Sequence, residues 1–131
     1  MKTGWKRLLK LADYLDTVQP KHFNMRDWSV TERCGTVACA AGHACQMPGF
    51  KRLGLRLVED EDDGTLIPVL GDSKDSDASL MVFFDLEVED LDKIFYSYAK
   101  TPKQESYLIR QIVGRLSGEK KKKTKVTAEV E

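Results

Sequence analysis

The sequence predicts an α+β fold: a mainly helical single domain of about five helices with one small antiparallel β-hairpin. Apolar residues recur at helical spacing in several segments. Two short apolar segments flank a turn that ends in Asp63-Gly64, the signature of a hairpin. The chain has 131 residues, of which 41% are hydrophobic, enough for one core without disulfides.

Residues 1–118 are predicted to form this domain. Residues 119–131 contain four consecutive lysines, no aromatic residue and only two valines. Such a composition cannot bury enough apolar surface to offset the entropy lost on folding, so we predict a disordered, lysine-rich tail.

The first helix is predicted from about Thr3 to Val18, because Trp5, Leu8 and Leu15 recur at helical spacing. Pro20 ends it, since proline cannot continue a helix. A loop follows, held to the core by hydrophobic anchors at Phe23, Met25 and Trp28.

The central helix is predicted from about Val37 to Gln46. Thr36 would be its N-cap, and Pro48-Gly49 would end it. Its alanines and glycine leave hardly any polar face, so it should be buried on most sides.

The hairpin is predicted over about residues 55–70, with Pro68 placing its second strand at an edge. Three helices should follow: one capped by Ser76, one from about Val88 to Ala99, and one from Thr101-Pro102 to Ser117-Gly118. The buried face of the last helix is predicted at Tyr107, Leu108, Ile112, Val113 and Leu116. The single core should contain Leu8, Leu15, Val37, Ala41, Phe84, Phe95 and Ile112.

Charge is strongly segregated along the chain, although the net charge is zero. Residues 59–92 carry thirteen Asp/Glu and one lysine, whereas each flanking segment carries ten Lys/Arg and four Asp/Glu. The pattern favours an acidic binding face in this middle third, extending to residues 85–92. Its main candidates are Glu59, Asp60, Glu61, Asp62, Asp63, Asp72, Asp75 and Asp77.

The acidic segment has two other interpretations, a calcium-binding loop and a solvated turn. The segment does not fit a calcium-binding EF-hand loop, because aligning Gly64 with its invariant glycine puts Leu70 where the glutamate belongs. A solvated acidic turn with no binding role is the simpler alternative.

A second candidate site lies in residues 34–45, a segment that contains all three cysteines and His43. With Thr36 as the cap, Cys39 would lie in the first helical turn, where the helix dipole lowers a thiol pKa, and His43 would lie one turn further on the same face. This geometry suggests a thiol site at Cys39 and His43. Alternatively, both side chains are ordinary core residues, as free cysteines often are.

Metal binding would have to use Cys34, Cys39, His43 and Cys45, whose spacing does not match that of zinc sites. A papain-type hydrolase would need a histidine after position 43, and none follows. We therefore predict no metal and no cofactor.

The sequence resembles a group of small uncharacterised proteins encoded by bacteria and their phages, over roughly residues 5–115. The residues that carry the resemblance are Phe23-Asn24-Met25 with Trp28, Cys34-Gly35-Thr36 with Cys39, Ala41-Gly42-His43-Ala44, Leu53-Gly54-Leu55, Phe83-Phe84 with Leu86, and Ile94-Phe95. The resemblance implies a compact α+β domain and a phage accessory protein. It supplies a biological context and implies no particular mechanism.

These observations lead to a functional hypothesis: a non-enzymatic, phage-associated interaction module that binds and blocks a host defence or nucleic-acid-binding protein through the acidic face. The alternative is a thiol- or zinc-dependent site on the central helix. The expected partner is a host protein with a basic surface. No apolar run approaches the roughly 20 residues that span a bilayer, so we expect no membrane partner and a cytoplasmic location. Direct nucleic-acid binding by the tail is not expected, because it lacks aromatic residues for stacking on bases.

Overall fold

The structure is a computed structural model, which describes residues 2–25, 30–32, 35–37, 39–62 and 64–130. It confirms the predicted mainly helical α+β domain. In chain order the elements are α1 (Thr3–Leu15), a 3-10 turn (Pro20–His22), β1 (Val30–Glu32), β2 (Gly35–Val37), α2 (Ala40–Ala44), α3 (Pro48–Arg52), β3 (Leu55–Glu59), β4 (Leu66–Leu70), α4 (Ser76–Phe84), α5 (Val88–Phe95) and α6 (Pro102–Val130).

Helix α1 packs against α6 and against the end of α4. It ends three residues before the predicted Val18, where the amides of Thr17 and Val18 donate to carbonyl oxygens three residues earlier in a tightened last turn. Towards α6, Arg110 Nη2 donates to Asp16 Oδ2 across 2.6 Å and to Asp13 Oδ1 across 2.9 Å. The arginine and the Ser106 hydroxyl hold the pKa of Asp16 below its usual value.

The hairpin lies where it was predicted. Strands β3 and β4 pair antiparallel in a register that sets Leu55 opposite Leu70 and Glu59 opposite Leu66. Leu55 and Val69 are fully buried, so this end of the hairpin is fixed in the core and its acidic turn projects away.

The start of the central helix was predicted wrongly. Thr36 lies in β2, which pairs with β1 in a second, smaller ladder that the sequence did not reveal. Helix α2 begins only at Ala40, and Cys39 is its N-cap residue. Thr36 and Val37 are both β-branched, and such side chains fit a strand at least as well as a helix start.

Pro48-Gly49 separates two helices instead of simply ending one. Pro48 occupies the first turn of α3, where its missing N–H is not needed. This short helix brings the number of α-helices in the described part of the chain to six, against about five predicted.

The last three helices are present, with corrected ends. Asp75, not Ser76, caps α4 by accepting from the Ala78 amide across 3.0 Å. Helix α5 ends at Phe95, so Tyr98 is 99% exposed. Helix α6 begins as predicted, because the Thr101 hydroxyl accepts from the Gln104 amide across 3.2 Å.

At its other end, α6 does not stop at Ser117-Gly118. Its backbone is helical to Val130, and the tail contains no proline and is rich in lysine, a good helix former. The predicted disorder of the tail stays a prediction. The division of the domain at residue 118 stays a prediction.

One core lies between α1, α2, α4, α5 and α6. Six of the predicted core residues are buried, and the seventh, Val37, has a side chain outside the described set. Phe50, Phe83, Phe84 and Phe95 form an aromatic cluster with ring centroids 4.9 to 5.9 Å apart. On α6 the prediction was wrong at Tyr107, which is 64% exposed, and it missed Ile109, which is fully buried.

Candidate functional site

The hairpin turn forms one wall of an acidic cleft of about 360 Å³. Five carboxylate side chains line it, and these residues define what we call the acidic cleft: Glu59, Asp60, Glu61, Asp62 and Asp72. Val58 and Ile67, both partly buried, also line it. The structure thus brings Asp72, which follows β4, next to acids at the other end of the hairpin.

Hydrogen bonds fix the shape of the turn. The Asp60 amide donates to the Thr65 carbonyl oxygen across 2.7 Å, and the Gly64 amide donates to the Asp60 carbonyl oxygen across 2.9 Å. The Asp60 side chain accepts from the Asp62 amide across 2.8 Å. Gly64 has a φ of 74°, in the left-handed region that glycine adopts without strain. These bonds hold the described acids Asp60 and Asp62 in place at the end of β3.

Two cations line the acidic cleft, and both already have partners. Arg56 Nη2 donates to the Gly71 carbonyl oxygen across 2.8 Å, which ties the hairpin to the segment after β4. Lys74 Nζ lies 3.4 Å from Glu61 Oε1 in an exposed ion pair. Five carboxylates against two cations leave the lining residues with a negative formal charge.

The other predicted acids are not all gathered there. Asp75 caps α4, and Asp77 Oδ1 accepts from the Tyr96 hydroxyl across 2.5 Å, so both side chains serve the fold. Asp63 lies outside the described residues. Within 85–92, Asp85 accepts from the Gly4 amide and Asp90 pairs with Arg115. The described acids among these do not line the acidic cleft, and a binding face that includes them stays a prediction.

The structure places the predicted thiol site at Cys39 and His43 in the core. Cys39 is 1% exposed and His43 is 4% exposed. Burial raises the pKa of the Cys39 thiol to about 11 and outweighs the backbone amides of Gly42 and Ala41 at the start of α2, which lower it. His43 Nε2 lies 2.7 Å from the His22 carbonyl oxygen. The rings of Phe23 and His43 are stacked, with their centroids 6.3 Å apart. A reactive thiol needs access and thiolate character, and Cys39 has neither.

Cys45, the other described cysteine, is also buried, and burial raises its pKa to about 12. Cys34 lies outside the described residues. Among those that are described, no three His, Cys, Asp or Glu side chains are grouped so that they could hold a metal ion.

Sequence reasoning missed Glu105, in the first turn of α6. It is 0% exposed, and burial raises its pKa to about 8. The Ser97 hydroxyl donates to its Oε2 across 2.6 Å, whereas its Oε1 has no hydrogen-bond partner in the described part of the protein. Its spacing could have revealed it, because Glu105 lies four residues before Ile109 and seven before Ile112, on the buried helical face.

A comparison of the chain with protein families, curated proteins and solved structures finds no match in any of the three. Within the described part of the chain, no helix is both long enough and apolar enough to cross a membrane.

Proposed function

We propose that the protein is a non-enzymatic interaction module that binds the basic surface of a partner protein through the acidic cleft. The observation that carries the proposal is the gathering of five carboxylates from two separate segments around one cleft. Such a concentration disfavours folding by self-repulsion, so attraction of a cationic partner gives a reason for it.

The cleft suits a protein surface that presents Lys or Arg side chains. Its acids can accept hydrogen bonds from ammonium or guanidinium groups, and Val58 and Ile67 provide apolar contact for the aliphatic stems of those side chains. Because Glu59, Glu61, Asp62 and Asp72 are exposed, such pairs form at high dielectric, and their main effects are on association rate and specificity.

The partner we propose is a host protein with a nucleic-acid-binding surface, since such surfaces are rich in Lys and Arg. This choice follows from the resemblance to bacterial and phage proteins together with the charge of the cleft. The proposed action is to occupy that surface and block it.

Matched variants test the proposal. The cleft variant carries Glu59→Lys, Asp62→Lys and Asp72→Lys, which leave the Asp60 side chain and its turn intact. The control carries Glu87→Lys, Glu89→Lys and Asp92→Lys, exposed acids on and before α5 that change the net charge equally. Circular dichroism first establishes that both variants fold.

Immobilised wild type, cleft variant and control are then used to capture proteins from a host lysate, and the captured proteins are identified by mass spectrometry. We expect wild type and control to retain the same protein with a basic surface and the cleft variant to lose it. Equal retention by all three folded proteins would contradict the proposal.

A further inference from the structure

A second cavity lies away from the acidic cleft, next to the buried Glu105. This groove of about 740 Å³ runs between the segment from Pro20 to Met25 and the segment at residues 96–100. Ser97 lines the groove and also donates its hydroxyl to Glu105 Oε2. The carboxyl group therefore lies directly behind one wall of the groove.

The wall at residues 96–100 is attached to the rest of the protein at both of its ends. At one end the Tyr96 hydroxyl donates to Asp77, and at the other the Lys100 amide donates to Gln104 Oε1 across 2.8 Å. Between them, the Ser97 hydroxyl accepts from the Ala99 amide across 3.3 Å and donates to Glu105. The Ser97 side chain thus links the middle of the segment to α6.

Helix α6 is the more firmly held of the two partners. Ser106, the next residue after Glu105, donates its hydroxyl to Asp16 Oδ1 across 2.6 Å, and Arg110 binds both Asp13 and Asp16 of α1. If the contact between Glu105 and Ser97 weakens, the segment at 97–99 is the part that can move.

Among the described residues, the Ser97 hydroxyl is the group that lowers the pKa of Glu105, whereas Lys21 and Lys100 line the groove on the other side of the wall. The Cys39 thiol, at the N-cap of α2, lies close enough to Glu105 that a negative charge on Glu105 raises the pKa of the thiol. The charged groups that α1 directs at α6 are Asp13 and Asp16, which are paired with Arg110. From α5, Asp90 is paired with Arg115 of α6, and the Tyr96 phenol is bound to Asp77.

We propose that Glu105 and Ser97 form a proton-dependent latch, in which the neutral acid holds residues 97–99 against α6 and its ionisation releases them and widens the groove. The Ser97 hydroxyl favours the ionised form of Glu105, but burial disfavours that form more strongly, and the carboxylate regains hydration if the wall moves away. Because the pKa of Glu105 is about 8 in the closed form and its ordinary value is 4.5, opening becomes more favourable as pH rises to about 8.

Two NMR observables test the latch between pH 6 and pH 9.5. The first is the carboxyl ¹³C shift of Glu105, which reports its ionisation. The second is the exchange rate of the Ala99 amide, corrected for the intrinsic pH dependence of exchange. If opening releases one proton, the protection of Ala99 falls about tenfold per pH unit as pH rises towards the pKa of about 8 that Glu105 has in the closed form, and it levels off above that pH.

Glu105→Gln keeps the shape of the side chain but cannot ionise, so its Ala99 protection should not change with pH. Glu89→Gln, which removes the charge of an exposed glutamate on α5, should behave as the wild type does. The latch is refuted if Glu105 titrates near its ordinary value of 4.5, or if Ala99 protection does not follow its ionisation. Both observables are measured on the wild type, so the test holds even if Glu105→Gln does not fold.

Discussion

The backbone amide of Gly4 donates to Asp85 Oδ2 across 2.6 Å, joining the first turn of α1 to the end of α4. Trp5 Nε1 reinforces the contact by donating to the Asp85 carbonyl oxygen across 3.0 Å. Asp85 has a φ of 53°, a left-handed conformation that ends α4 and turns its side chain towards α1. The two helices consequently meet backbone to backbone.

Gly4→Ala should strongly destabilise the protein. A Cβ atom at this position would lie 2.2 Å from the carbonyl carbon of Phe84 and 2.5 Å from the Asp85 nitrogen, and backbone atoms cannot move aside easily. We expect a loss of at least about 3 kcal/mol in the free energy of unfolding, measured with chemical denaturant.

Gly114→Ala is the matched control. Nothing lies within 4 Å of a Cβ built at this exposed position in α6. Alanine should therefore stabilise the helix by roughly 0.5–1 kcal/mol. If the two variants have equal stability, the close approach of α1 to α4 does not exist as described.

The sequence predicted correctly those elements that are specified by residues close together in the chain. The start of α6 is one, because Thr101 and Gln104 carry the cap within four residues. The hairpin is another, since its alternating strands and its turn agree. The start of α2 was wrong because Thr36 suits both a cap and a strand, and only its pairing with Thr31 in β1 decides between them.

The candidate site was only partly predictable for a similar reason. The acids of residues 59–62 are adjacent in sequence, so their clustering was evident. Whether a distant acid joins them depends on tertiary structure: Asp72 lines the acidic cleft, whereas Asp90 is buried against Arg115. The burial of Glu105 likewise depends on how α6 packs, although helical spacing gave a signal.

The buried acid should make stability depend on pH. In the unfolded chain Glu105 ionises near its ordinary value of 4.5, whereas in the folded protein its pKa is about 8. Between these values the native state holds a proton that the unfolded state has lost, so this residue's contribution to stability is greatest below pH 4.5 and declines as pH rises to about 8.

Glu105→Gln removes this contribution. As pH rises from 4.5 to about 8, the unfolding free energy of the glutamine variant should increase relative to that of the wild type by up to about 1.4 kcal/mol per pH unit. Denaturant unfolding of both proteins at several pH values measures it. A difference that does not change between pH 5 and pH 8 would show that Glu105 is ionised in the native state.

The described cysteines should be unreactive in the folded protein. Because Cys39 and Cys45 are buried and burial raises the pKa of each thiol, a small alkylating reagent at neutral pH should label them at least about a hundredfold more slowly than in denaturant. Peptide mass spectrometry distinguishes them from Cys34. Rapid labelling of Cys39 in the native protein would revive the alternative of a thiol site.

Affinity for the captured partner as a function of salt concentration is the most direct test of binding through the acidic cleft. Screening shortens electrostatic attraction to about 10 Å at 0.1 M salt, so wild-type affinity should fall between about 50 and 300 mM salt. The folded cleft variant should bind at least about tenfold more weakly at low salt and depend less on salt, whereas the α5 control should resemble the wild type. If the cleft variant keeps both the affinity and the salt dependence of the wild type, the cleft is only a solvated surface and the proposed function is wrong.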